Sequence, residues 1–110
     1  MGTYLYRIWP DRPELLVDGP TSDEERSIGE HYEYLKDLTA RGIVLLAGRT
    51  RSETIDDFGI VVLVAESAVA ARDIMLADPA VRDGVFVGDL LPYDLAMVSG
   101  DIGRHAGTAA

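Results

Sequence analysis

The sequence predicts an α+β fold, a ferredoxin-like βαββαβ chain in which an antiparallel sheet carries both helices on one face. Three observations predict it. Segments rich in β-branched and aromatic residues alternate with segments of helical periodicity in the order strand, helix, strand, strand, helix, strand. The length of 110 residues suits one core and is too short for two. A composition of 47% hydrophobic and 26% charged residues is that of a folded domain.

The elements follow in order. TYLYRIW, Thr3 to Trp9, reads as the first strand, stopped by Pro10. PDRPELLVDGPT, with three prolines and a glycine, reads as a loop or hairpin excursion. Thr21 and Glu24 match a capping box, acidic residues fill the first turn behind them, and Arg41 with Gly42 marks the end of the first helix. IVLLAGRT and FGIVVLVAE, Ile43 to Thr50 and Phe58 to Glu66, form a hairpin across the polar RSETIDD. Ser67 caps a second helix, Ala68 to about Ala77, and Asp78 with Pro79 ends it and starts a further turn. Val85 to Val98 is the last strand, irregular at Gly88 or Pro92. Residues 1–98 thus make a single domain, and the small, glycine-rich residues 99–110 a flexible tail.

Ile43 to Ala47 and Ile60 to Ala65 are apolar at consecutive positions, so both sheet faces are expected to be buried. With the helices on one face, a second copy of the chain is the economical cover for the other. A homodimer packed face to face is expected, with further assembly left open.

Nineteen acidic residues against ten Lys and Arg give a net charge of −9, and the cations are scattered, which argues against nucleic acid and anionic membranes as partners. The absence of cysteine removes disulfides, thiolate metal sites and cysteine nucleophiles. No signal peptide is recognisable, and the longest apolar run is too short to span a bilayer, so the expected location is the cytoplasm. Phosphate loops, dinucleotide fingerprints, nucleophile elbows and HExxH are missing; with only two histidines, no metal site and no cofactor are expected.

The residue that invites chemistry is His31. Ile28, His31, Leu35 and Leu38 fall on one helical stripe, so an imidazole interrupts an apolar face. It reads either as a satisfied core histidine or as a general acid or base held on a rigid helix. Asp78 is its candidate partner. As an N-cap it needs no chemistry, but the end of the second helix can approach the middle of the first, and a carboxylate there would fix the imidazole tautomer. Tyr34, one turn along, could line a pocket beside His31; Tyr93 ranks below it, and Trp9 serves equally as an apolar wall or as core. Arg49 reads as a solvated hairpin cation or as a clamp for a substrate carboxylate.

TYLYRIW, HYEYLKDLTARGIVLLAG, FGIVVLVAE, LADPAVRDGVF and the final LPYDL, in this order and spacing, resemble the YCII-related family of the dimeric α+β barrel superfamily, over residues 3 to 98. The resemblance implies a dimeric ferredoxin-like barrel and a site made of a histidine on the first helix and an aspartate after the second, which fall on His31 and Asp78. It also implies a lyase or isomerase acting on small cyclic or aromatic compounds. Arg49 and Arg51 depart from the family pattern, which often has a small residue or proline after the glycine; Asp94 stands where a basic residue is common. Two functions are therefore expected in competition. One is a cofactor-independent lyase or isomerase moving a proton on a small cyclic or carbonyl-containing metabolite with the His31–Asp78 pair. The other is a dimeric module that binds such a ligand unchanged.

Overall fold

The computed structural model describes residues 1–107. The first strand, β1 (Gly2–Pro10), alternates along its second half, with Tyr6 and Ile8 buried and Arg7 and Trp9 exposed. A single helical turn, α1 (Leu15–Asp18), then replaces the expected loop. Its cause is burial: Leu15 packs with Ala80 and Val85 in a small second cluster, an apolar anchor that the surrounding prolines conceal in the sequence.

The long helix α2 (Ser22–Ala40) starts at the predicted capping box. Thr21 Oγ1 accepts from the Glu24 N–H at 3.2 Å, and the Glu24 carboxylate accepts from the Thr21 N–H at 2.8 Å. Arg12 bonds the same carboxylate from 2.6 Å. Arg12 first and the Thr21 N–H second hold the Glu24 carboxyl down to about 2. Gly42, at φ +75°, lets the chain leave the helix in the left-handed region.

The hairpin strands are β2 (Val44–Arg49) and β3 (Gly59–Ala65), with a register shift between Val44 and Leu46. Asp57 organises the loop between them. Its carboxylate accepts from the N–H of Ser52 and of Glu53, each at 2.8 Å, and from the hydroxyls of Thr50 and Ser52. These bonds stabilise Glu53 at φ +62°, an unusual conformation for a residue with a Cβ. They also hold the Asp57 carboxyl well below the usual carboxylate range, the Ser52 hydroxyl contributing most.

After Ser67, whose hydroxyl caps it at 3.1 Å, comes α3 (Ala68–Ala77), followed by the short α4 (Pro79–Arg82) and β4 (Phe86–Pro92). This last strand is shorter than expected and passes through Gly88 without a break. A side chain at Gly88 would stand 3.1 Å from the Met75 sulfur, so glycine there lets α3 approach the sheet. The β1–β4 register ends at Tyr4 and Pro92, and the Tyr93 N–H adds a last bond to the Thr3 carbonyl. Beyond it, residues 93–98 have no regular structure, and Ile102–His105 forms a 3-10 turn. The last three residues of the segment expected to be a tail lie outside the described residues.

The strands order as β2-β3-β1-β4, antiparallel throughout, which is the ferredoxin-like arrangement. Tyr6, Ile8, Val44, Val61 and Leu63 face Leu38, Ala71 and Met75 of the helices in the main core. On the opposite face the registers align Leu46, Val62, Leu5 and Leu91 in one row across all four strands. Trp9 and Val87 pair on the same face, and Arg7 bonds Asp89 beside that row. Within the single chain nothing covers this face fully: Trp9, Val87 and Leu91 are 37%, 39% and 44% exposed. Among the described residues no helix is long and apolar enough to cross a membrane.

Two measurements check this account. Thr21→Ala removes the acceptor for the Glu24 N–H and should lower unfolding free energy in urea by about 1 kcal/mol. Acid should destabilise the fold, because a carboxyl held low in the folded state adds stability above its unfolded value, about 4, that is lost as pH falls toward the folded one. Stability measured against pH should therefore decline below pH ~4, and Asp57→Asn should flatten part of that decline.

Candidate active site

The only histidine in the helix–sheet interior is His31, three turns into α2, and its place there follows from the stripe of Ile28, Leu35 and Leu38 that turns this side of the helix inward. Asp78 stands between α3 and α4, where Pro79 forbids continuation of α3 and begins the next turn. The sheet registers and the two helix crossings bring them together. His31 Nδ1 lies 2.8 Å from both carboxylate oxygens of Asp78.

Asp78 is fully buried, so its carboxylate depends entirely on protein partners. Three donors supply them. The Ala80 N–H donates to Oδ1 at 3.1 Å, the Tyr6 hydroxyl donates to Oδ2 at 2.8 Å, and the imidazole faces both oxygens. The N-cap of α4 and the partner of His31 are thus the same carboxylate. Burial, and after it the charge of Asp78, pushes the Tyr6 hydroxyl far above the usual tyrosine range, so it remains a donor at every ordinary pH.

An acceptor opposite Nδ1 assigns the ring proton to that nitrogen and leaves the lone pair on Nε2. The His31 side chain is 13% exposed. Its Nε2 makes no hydrogen bond, and among the described residues no side-chain nitrogen or oxygen is both buried and unpartnered, so the exposed edge of the ring includes Nε2. Phe86 meets the ring edge to face, with centroids 5.6 Å apart at 85°. In the turn before His31 the helix is pinned to the end of α4: Ser27 donates to Asp83 at 2.8 Å, and Glu30 pairs with Arg82 at 3.1 Å. This arrangement can take a proton at Nε2 and hold the resulting imidazolium against a buried carboxylate.

The other candidates sit elsewhere. Tyr34 is partly buried against the core, and its hydroxyl donates to the Ile74 carbonyl at 2.8 Å. Burial first, and then the charge of Asp78, raises it above the usual tyrosine range. Trp9 lines a recess on the far sheet face with Arg7, Ile55 and Phe58; Arg49 lines another at the sheet edge with Leu46 and Ile60. Neither recess includes His31 or Asp78. Tyr93 follows β4 and is 42% exposed. Among the described residues no group of three or more His, Cys, Asp or Glu converges as a metal site would require.

Tyr6 and Phe86 are the residues that sequence reasoning missed. The alternation of β1 marks Tyr6 as inward-facing, and a buried tyrosine must find a partner for its hydroxyl; that was the available signal.

Among the solved structures similar to the chain is 5-chloro-2-hydroxyhydroquinone dehydrochlorinase (TftG) from Burkholderia phenoliruptrix AC1100, in complex with 2,5-dihydroxybenzoquinone. The TM-score is 0.58 at 19% identity, covering 83% of this chain and 93% of that one. That likeness extends to the fold. No curated protein matches the sequence. The family model of the YCII-related domain matches residues 5–89. The chain therefore belongs to the YCII-related domain family.

Proposed function

We propose that this protein is a cofactor-independent lyase or isomerase of the cytoplasm that moves a proton on a small cyclic or carbonyl-containing metabolite. The observation that carries the reading is the buried Asp78 carboxylate holding the His31 ring with Nε2 turned outward. In the reaction His31 accepts a proton at Nε2 from carbon or oxygen next to an activating carbonyl, and Asp78 orients the ring and balances its charge. Return of that proton at another position gives an isomerase. Departure of a leaving group from the neighbouring carbon gives a lyase. The similar fold of a dehydrochlorinase in complex with 2,5-dihydroxybenzoquinone supports a compact cyclic substrate.

The working unit is a homodimer. Its support is the apolar row of Leu46, Val62, Leu5 and Leu91 on the sheet face away from the helices, where Val62 is buried but Leu91 and the neighbouring Trp9 and Val87 stay exposed for a second sheet to cover. The Arg7–Asp89 pair beside that row would fix the register of two copies.

Two experiments test these statements. Turnover of a panel of chlorinated or hydroxylated cyclic ketones and quinols should vanish in His31→Ala and in His31→Gln, the second of which retains a donor for Asp78, while circular dichroism stays that of the parent. Equal turnover by parent and variants, or a ligand bound tightly and recovered unchanged by both, would assign the site to binding alone. Sedimentation should give a dimer at micromolar concentration, and Leu91→Lys should give a folded monomer; a parent that sediments as a monomer removes the dimer.

A further inference from the structure

Tyr6 and Asp78 are both completely buried, so the hydrogen bond between them is closed to water. Tyr34, the other hydroxyl near this carboxylate, is committed to the Ile74 carbonyl. Asp78 Oδ2 is therefore shared by two side chains only, the Tyr6 hydroxyl and the His31 ring, each at 2.8 Å. Donors on one carboxylate compete: electron density drawn toward a phenol is withdrawn from the imidazole on the same oxygen. In a site without solvent no water compensates for this. A phenylalanine would fill the same core volume, so the hydroxyl adds nothing to packing that its ring does not already supply.

From this we propose that Tyr6 is a positioning residue that sets how strongly Asp78 acts on His31, moderating the basicity and nucleophilicity of Nε2 through the shared carboxylate. The inference rests on the proton-transfer reading for its purpose, but its physical content concerns only the three side chains. Tyr6 reaches the site from β1, so an inner strand of the sheet, and not only the two helices, governs the reacting nitrogen.

The test is the proton NMR resonance of the His31 Nδ1–H, assigned by its loss in His31→Gln and in Asp78→Asn. In Tyr6→Phe the resonance should move downfield and exchange more slowly with solvent, because Oδ2 then serves the ring without a competing side-chain donor. At a pH where both imidazoles are neutral, carbethoxylation of His31 by diethyl pyrocarbonate should become roughly two- to threefold faster relative to His105, the internal reference. Biosynthetic replacement of tyrosine by 3-fluorotyrosine, a stronger donor, should move the resonance upfield, so the proposal stays testable even if Tyr6→Phe folds poorly. An unchanged resonance and unchanged rate in a folded Tyr6→Phe variant would overturn it, as would an upfield move. Failure of the turnover experiment leaves these signatures untouched, so the two readings fail separately.

Discussion

One buried carboxylate ties the adjoining ends of α3 and α4 to α2 and to the sheet. Asp78 ends α3, caps α4, accepts from β1 through Tyr6 and meets α2 through His31. A charge without solvent is tolerated only when its lone pairs are occupied, and here every occupant comes from a different stretch of chain. The constraint runs in both directions. The fold must bring these groups within hydrogen-bond distance for the carboxylate to remain buried, and once they are there the imidazole has no freedom to choose its tautomer.

That dual use reconciles two readings that compete in the sequence. An aspartate before proline is a sufficient structural device, and the Ala80 N–H shows that the cap is made. A cap uses one oxygen, leaving the second to Tyr6 and both within reach of His31. The pins in the turn before the histidine, Ser27 to Asp83 and Glu30 to Arg82, fix the spacing of α2 and α4, which a proton-transfer geometry needs and a simple cap does not.

The two faces of the sheet divide the labour. The helix-covered face contains the main core and the His31 site, and there Gly88 admits Met75 and brings α3 close to the strands. The other face ends in side chains that have no partner layer in one chain, with a single ion pair beside its apolar row. A sheet apolar on both faces is stable in water only when both are covered. The proposed site and the proposed dimer face thus lie on opposite sides of the same four strands, and β1, with Tyr6 on one side and Leu5 on the other, belongs to both.

Local signals in the sequence determined much of this protein. The capping box at Thr21, the glycine ending α2, the Asp-Pro break after α3 and the order of strands and helices are all legible, because each arises from interactions within a few residues. His31 and Asp78 stood out for the same reason, one as a polar residue on an apolar stripe and the other as a cap. The tertiary structure alone decided the rest. Leu15 forms a helical turn only because Ala80 and Val85 lie against it, and β4 extends as far as its register with β1, from Phe86 against Pro10 to Pro92 against Tyr4. Tyr6 donates to a carboxylate 72 positions away in the chain, and Asp78 reaches a histidine 47 positions away. Such contacts depend on strand register and helix crossing, which local periodicity does not encode. A one-residue slip of β1 would turn Tyr6 to the far face and leave Asp78 without its third donor.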